Sequence, residues 1–101
     1  MVTRGSLRIH PAALEEAEAT AAWYRQRSRR AAEMFLNELD RAIEQIIQSP
    51  HRFPTYDFGT RRLVFWKFPF VLVFRETADG IEIIAVAHGR RRPNYWQERI
   101  D

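Results

Sequence analysis

The chain has 101 residues, of which 46% are hydrophobic and 29% charged, and this composition predicts one globular domain over residues 1–101 rather than a disordered segment. It contains no cysteine, which excludes disulfide bonds, thiolate metal sites and cysteine nucleophiles, and it has no apolar run long enough to cross a membrane, so we expect a cytoplasmic protein without a membrane partner. The net charge is only +3, but Lys67 is the single lysine among 16 basic residues, and permanently charged arginines favour phosphate or carboxylate partners unless they are simply solvated.

The first third of the chain predicts a short strand followed by a helix. Residues Leu7–His10 alternate between apolar and polar side chains, as a brief strand does, and Pro11 suits the first turn of a helix. A helix is predicted from Ala12 to Arg27 because alanine and glutamate dominate this stretch. Its apolar stripe is narrow and consists of Leu14, Ala17, Ala21 and Tyr24. Three glutamates fall in its early turns, where the helix dipole favours negative charge: Glu15, Glu16 and Glu18.

A second helix is predicted between Ser28 and the Ser49-Pro50 pair. Ser28 can break or cap the chain, and Pro50 cannot continue a helix. The apolar stripe between them is broader than that of the first helix and consists of Ala32, Phe35, Leu39, Ala42, Ile43 and Ile46. Two helices with facing stripes and a connection of two or three residues predict an antiparallel helical hairpin.

The second half of the chain predicts three strands joined by tight turns. Residues 51–59 contain a proline, a glycine and aromatic side chains and are predicted to form a packed loop. Strands are predicted at 60–66, 70–75 and 81–88, with turns at 67–69 and 78–80. Phe70–Phe74 is apolar at every position, so this strand is predicted to be central and covered on both faces. In the last strand, alternation places Ile81, Ile83, Ala85 and Ala87 on one face and Glu82, Ile84, Val86 and His88 on the other.

These elements predict a two-layer α+β domain in the order β-α-α-β-β-β. The four strands are expected to form one antiparallel sheet, with the first strand at an edge and the helical hairpin on one face. Residues 93–100 are expected to form a short terminal helix or an irregular tail.

The densest positive charge follows the last strand directly. Gly89 lets the backbone bend, and Arg90, Arg91 and Arg92 come next, which predicts either a solvated loop or an anionic contact. His88 is either a general acid or base or a structural histidine that bonds nearby backbone and positions Gly89. The pair Tyr95-Trp96 either stacks on nucleobases or, as we favour, folds back to close a small core.

Antiparallel pairing limits how many arginines can share one site. In an antiparallel sheet, the start of one strand lies beside the end of its neighbour. Arg61, Arg62 and Arg75 are therefore predicted at one end of the sheet, and Arg90–Arg92 at the opposite end. The six arginines are therefore not expected to form one patch unless their side chains reach along the sheet. His10 and His51 show no spacing typical of a metal site, so we expect no metal and no cofactor.

The chain resembles the RelE/ParE toxin superfamily along nearly its whole length. The most specific match is Val86–Pro93, which contains the His-Gly-Arg-Arg junction. The other matching residues are Ala31-Ala32, Phe35, Ile43, Ser49-Pro50, Arg62, Phe68-Pro69-Phe70, Phe74-Arg75 and Asp79-Gly80. The resemblance implies the toxin of a type II toxin–antitoxin pair, which forms a hetero-oligomer with an antitoxin whose acidic, amphipathic segment covers the arginines and the helical hairpin or a sheet face.

Two activities occur in the superfamily, and they imply different roles for the same residues. RelE-like members cut ribosome-bound mRNA, and a nuclease here would use Arg62, His88, Arg91 and Tyr95. ParE-like members inhibit DNA gyrase and are not enzymes; Arg61, Arg75, Arg90, Arg92 and Trp96 would then be candidate contacts with the target or the antitoxin. The RelE pattern places lysines on the second helix, where this chain has Arg41, so we favour a ParE-like gyrase inhibitor. The alternatives are the mRNA endonuclease and a non-toxic nucleic-acid-binding module.

Overall fold

The computed structural model describes residues 6–100, which form two helices and one four-stranded sheet. The elements are β1 (Ser6–Ile9), α1 (Pro11–Arg27), α2 (Arg29–Gln48), β2 (Arg61–Val64), β3 (Phe70–Thr77) and β4 (Gly80–His88). Short 3-10 turns lie at Pro50–Arg52, Asp57–Gly59 and Gln97–Arg99. The sheet order is β1-β4-β3-β2, so the predicted α+β class and element order are confirmed. No helix in the described range is long and apolar enough to span a membrane.

Side-chain caps fix the two helices. The Nδ1 of His10 accepts a hydrogen bond from the backbone N–H of Ala12 at 3.1 Å and so caps α1. The hairpin connection is a single residue, shorter than predicted: the backbone N–H of Ser28 donates to the carbonyl of Tyr24, and its hydroxyl accepts from Ala31 N–H at 3.1 Å. Because α2 begins at Arg29, it carries two further arginines in its first turn.

The two helices bury very different side chains. Helix α1 buries only three alanines, Ala13, Ala17 and Ala21, which lets it lie close to the sheet. Leu14, predicted in its buried stripe, is 47% exposed. Helix α2 supplies the larger side chains of the core, including Phe35, and buries Ala32, Phe35, Leu39, Ala42 and Ile46. The helical hairpin was therefore predicted correctly, with one position of the α1 stripe wrong.

The sheet is mixed rather than wholly antiparallel. β2 pairs with β3, and β3 with β4, in antiparallel fashion, whereas β1 pairs parallel with β4 in the register Leu7↔Ile81 and Ile9↔Ile83. Tight turns force the antiparallel pairs. Both helices and two strands separate β1 from β4 along the chain, so no turn sets the direction of β1.

A β-bulge in β4 changes which side chains face the helices. Phe74 pairs with Ile83 and Val73 pairs with Ala85, so Ile84 is the extra residue. Ile81 and Ile83 face the helices as predicted, but beyond the bulge Val86 packs on that side, and Ala85 and Ala87 join Ile84 on the opposite face. The alternation predicted beyond Ile84 was wrong, because one inserted residue reverses the facing of all that follow it.

Each face of the sheet has its own core. The helices and the sheet enclose the larger core, which includes Phe35, Leu72 and Phe74. On the opposite face, Val73, Ile84, Ala85 and Ala87 pack around Trp96, which is only 2% exposed. The central position of β3 and the return of the C-terminal segment to close a small core are therefore confirmed.

Candidate functional site

All four residues predicted for a nuclease line one small cavity on the sheet face opposite the helices. The cavity has a volume of about 150 Å³ and is lined by Arg62, His88, Arg91 and Tyr95, together with Arg92. Arg62 was predicted at the far end of the sheet from Arg91. It shares the cavity because the segment after Gly89 folds back across this face, where Trp96 is buried. Val71, Val73 and Ala87 supply apolar lining.

Two of the predicted contact arginines are held by carboxylates within the fold. The Nη2 of Arg75 lies 2.8 Å from the buried carboxylate of Glu82, and the Nε of Arg61 lies 3.9 Å from Glu76. Arg61 also donates to the carbonyl of Phe53 at 2.6 Å. Neither residue lines the cavity: the Arg75–Glu82 pair joins β3 to β4, and Arg61 lies at the start of β2.

The cavity arginines have no such carboxylate. Across residues 6–100, no Asp or Glu lies within ion-pair distance of Arg62, Arg91, Arg92 or the neighbouring Arg90. Arg62 and Arg91 lie instead over aromatic rings: Cζ of Arg62 is 4.6 Å from the ring centre of Tyr56, and Cζ of Arg91 is 3.8 Å from that of Tyr95. Such cation–π contacts orient a guanidinium without neutralising its charge.

Tyr95 is held by a carboxylate from the first helix. Its hydroxyl donates to Glu16 Oε2 at 2.6 Å, and Arg99 donates to both oxygens of Glu16 at 3.0 and 2.8 Å. Burial raises the pKa of Tyr95 well above its usual value, and the bond to Glu16 and the charge of that carboxylate raise it further. For Glu16, burial also acts to raise the pKa, but the bonds from Arg99, Tyr95 and Val86 N–H outweigh it, so the net pKa is lowered.

The same contacts cover the open edge of β4. Pairing with β1 ends at Ile83, and beyond it the backbone N–H of Val86 donates to Glu16 at 2.9 Å while the carbonyl of Ile84 accepts from Arg99 at 3.0 Å. These side chains supply hydrogen bonds that a longer β1 would have supplied, and unpaired backbone at a sheet edge is otherwise open to association. We refer to Glu16, Tyr95 and Arg99 as the clasp. Sequence reasoning assigned Glu16 only to the helix dipole and missed this role.

The side chain of His88 makes its contacts within the fold, as the structural interpretation predicts. Its Nδ1 accepts a hydrogen bond from Arg90 N–H at 3.0 Å. Its ring packs edge-on against that of Phe70, with 5.1 Å between the ring centres. The adjacent Gly89 N–H donates to the carbonyl of Pro69 at 2.8 Å. His88 thus fixes the turn that sends the arginines over the sheet.

The site therefore offers oriented positive charge, and its two candidate proton carriers, Tyr95 and His88, are hydrogen-bonded within the fold. The Tyr95 hydroxyl proton is directed at Glu16, and one nitrogen of His88 is occupied by backbone. The Trp96 ring is buried and contacts Tyr56 and Phe58 rather than solvent. Within residues 6–100, no group of three or more His, Asp or Glu side chains is placed to hold a metal ion.

A separate apolar surface lies between the two helices. A groove of about 370 Å³ runs between α1 and α2 and is lined mainly by alanine, leucine and isoleucine side chains. Leu14 at its rim is 47% exposed and Ile9 is 37% exposed. Exposed apolar side chains grouped around a groove are typical of a surface that binds another protein.

Comparison with known proteins identifies the family. The family model described as the ParE toxin of the type II toxin–antitoxin system, parDE, matches residues 7–93, whereas no curated protein sequence matches the chain. A solved structure of the chromosomal ParDE toxin–antitoxin system from P. aeruginosa is similar in fold, with a TM-score of 0.73 and 19% sequence identity over 84% of this chain and 96% of that chain. The chain belongs to the ParE toxin family of type II toxin–antitoxin systems.

Proposed function

We propose that this ParE-type toxin inhibits DNA gyrase in the cytoplasm and is neutralised by a cognate antitoxin with which it forms a hetero-oligomer. The observation that carries the proposal is the match of residues 7–93 to the ParE toxin family. The clasp supports it, because a tyrosine whose proton is directed at Glu16 is poorly suited to act as a general base.

The apolar groove between α1 and α2 supports an antitoxin partner. An amphipathic helix binds such a groove through apolar side chains spaced three and four residues apart. The exposed Leu14 and Ile9 then become buried in the complex. An open reading frame next to the toxin gene that encodes a short protein with an acidic, amphipathic tail is the expected source of this partner.

One observation favours a second candidate, the ribosome-dependent mRNA endonuclease. Arg62, His88, Arg91 and Tyr95 all line one cavity, and two arginines could bind a phosphate. The His88 ring, however, packs against Phe70 of the helix-side core. Such an enzyme also needs a group that accepts a proton from the 2′-hydroxyl. The engagement of Tyr95 by Glu16 and of His88 by backbone argues against this candidate.

Expression in bacterial cells separates the two candidates. A gyrase inhibitor is expected to cause double-strand breaks, SOS induction and filamentation while translation continues. The variants Tyr95→Phe and His88→Ala, checked for folding by circular dichroism, are then expected to remain toxic. Cleavage of mRNA in the ribosomal A site, without DNA breaks, and loss of toxicity in both folded variants would contradict the gyrase proposal.

A further inference from the structure

A second groove, which the proposed function does not use, lies between α2 and the outer edge of β2. Its volume is about 540 Å³, and its lining includes three cations, Arg41, Arg62 and Lys67, beside the ring of Trp66. We refer to these four residues as the basic groove. We propose that the basic groove binds single-stranded DNA, with an unpaired base stacked on Trp66 and the neighbouring phosphates held by the cations. The choice of DNA over RNA rests on the proposed function, because gyrase acts on DNA.

Trp66 is the most exposed large apolar side chain in the described range, at 86%. Its neighbours Phe65 and Phe68 pack in the helix-side core, whereas Trp66 does not. Val64, which also lines the groove, is 64% exposed. Exposed apolar side chains that are grouped, rather than scattered singly, are typical of a surface that binds a partner.

The fold holds Trp66 in place before a ligand arrives. Trp66 lies in the turn between β2 and β3, which is closed by a hydrogen bond of 2.9 Å from Phe65 N–H to the carbonyl of Phe70. The carboxylate of Glu38 on α2 accepts from the backbone N–H of Trp66, and from that of Lys67 at 3.3 Å. A ring presented by a hydrogen-bonded turn loses less conformational entropy on binding than a ring on a mobile loop.

The groove carries an excess of positive charge. Glu38 is the one carboxylate among the described residues of its lining, and both oxygens of Glu38 already accept hydrogen bonds from the backbone. Across residues 6–100, no ion pair holds Arg41, Arg62 or Lys67. These three charges are therefore complementary to the phosphates of a nucleic acid strand.

Positive charge lies directly beside the stacking surface. The Nζ of Lys67 is 5.3 Å from the centre of the Trp66 ring. Proteins that bind single strands combine a positively charged groove with an aromatic ring on which an unpaired base stacks. An acidic side chain of a peptide would pair with the cations alone, whereas a nucleotide joins an anionic group to a flat ring that can also stack on Trp66. The groove therefore fits a nucleic acid strand better than an acidic peptide.

Fluorescence anisotropy of a labelled eight-residue oligothymidylate, titrated with the full chain in the absence of gyrase, tests the proposal. The ring variants are Trp66→Leu and Trp66→Phe. Trp23→Leu is their matched control, because Trp23 is also exposed, at 52%, and does not line the groove. The charge variants are Arg41→Gln and Lys67→Gln, and their control is Arg29→Gln, an exposed arginine at the start of α2. Circular dichroism checks the folding of each variant.

We expect Trp66→Leu to weaken binding about tenfold or more, and Trp66→Phe, which keeps an aromatic ring, to weaken it less than about threefold. Arg41→Gln and Lys67→Gln should each weaken binding about fivefold, whereas both controls should change it less than about twofold. With three cations engaged, the affinity should fall about 15- to 20-fold between about 50 and 200 mM salt, and less steeply in the charge variants. Stacking should also quench the fluorescence of Trp66, a signal that should be lost in Trp66→Phe although binding persists.

Three outcomes would overturn the proposal: no binding of the oligothymidylate, equal weakening by Trp66→Leu and Trp23→Leu, or tighter binding of oligouridylate, thymidine monophosphate or a polyglutamate peptide. A preference for the peptide would identify a protein-binding surface instead. Supercoiling by gyrase, measured on the same preparations, separates the two proposals. A toxin that inhibits gyrase without binding the oligothymidylate contradicts only the DNA site, and one that binds it without inhibiting gyrase contradicts only the proposed function.

Discussion

Replacing Glu16 with alanine should destabilise the whole domain, because its carboxylate joins α1 to β4 and to the C-terminal segment. The substitution removes four hydrogen bonds, two from Arg99 and one each from Tyr95 and Val86 N–H. It leaves the Arg99 guanidinium, whose side chain is 15% exposed, without its carboxylate. Removing one partner of such a pair costs about 3–5 kcal/mol, out of a typical domain stability of about 5–15 kcal/mol.

Urea denaturation followed by circular dichroism measures this loss, and thermal unfolding should show a midpoint lower by about 15 °C or more. Hydrogen exchange at Val86 should also accelerate in Glu16→Ala, because its backbone N–H loses its acceptor. Glu15→Ala is the matched control, since Glu15 is exposed and its loss should change the free energy of unfolding by less than about 0.5 kcal/mol. A loss below about 1 kcal/mol for Glu16→Ala would refute the clasp as a structural element and indicate an ordinary solvated ion pair.

Three further predictions concern Glu16, Trp96 and Asn94. The fold lowers the pKa of Glu16 from 4.5, so the contribution of Glu16 to stability is complete above that value and is lost as the pH falls through the folded pKa. Between about pH 5 and pH 2, the urea midpoint should therefore fall less steeply in Glu16→Gln than in the unsubstituted protein. Trp96→Ala should lower the free energy of unfolding by about 3–5 kcal/mol through loss of the second core, and a change below about 1 kcal/mol in urea titration would contradict its burial. Asn94 has a φ of 62°, a conformation that glycine adopts more readily than alanine. Asn94→Gly should therefore change the free energy of unfolding by less than about 0.5 kcal/mol, whereas Asn94→Ala should lower it by about 1 kcal/mol. Equal free energies of unfolding for the two variants would contradict that backbone conformation.

The parts of the fold that depend on local sequence could be predicted. Capping by Ser28, the stop at Pro50 and the turn at Gly80 act on their immediate neighbours, and each marks a boundary of an element in the structure. The direction of β1 and the bulge at Ile84 could not be predicted in this way. Both arise from pairing between distant strands, and an apolar stretch such as Ile83–Ala87 shows no break in its pattern where the extra residue enters.

In the candidate site, too, local features could be predicted from the sequence and contacts between distant residues could not. The change of direction at His88 and Gly89 and the return of Trp96 to a core could be predicted from the sequence. Each depends on a short stretch of the chain. The clasp joins Glu16 to Tyr95, 79 residues away, and to Arg99, 83 residues away, and no periodic signal connects them. The meeting of Arg62 with Arg91 likewise depends on how the C-terminal segment crosses the sheet.

A supercoiling assay with purified gyrase, relaxed plasmid, ATP and increasing amounts of purified toxin tests most directly whether gyrase is the target. We predict that supercoiling decreases with toxin concentration, that cleaved plasmid accumulates, and that the antitoxin encoded beside the toxin restores supercoiling. Unchanged supercoiling in the presence of toxin that is folded by circular dichroism would contradict gyrase as the target.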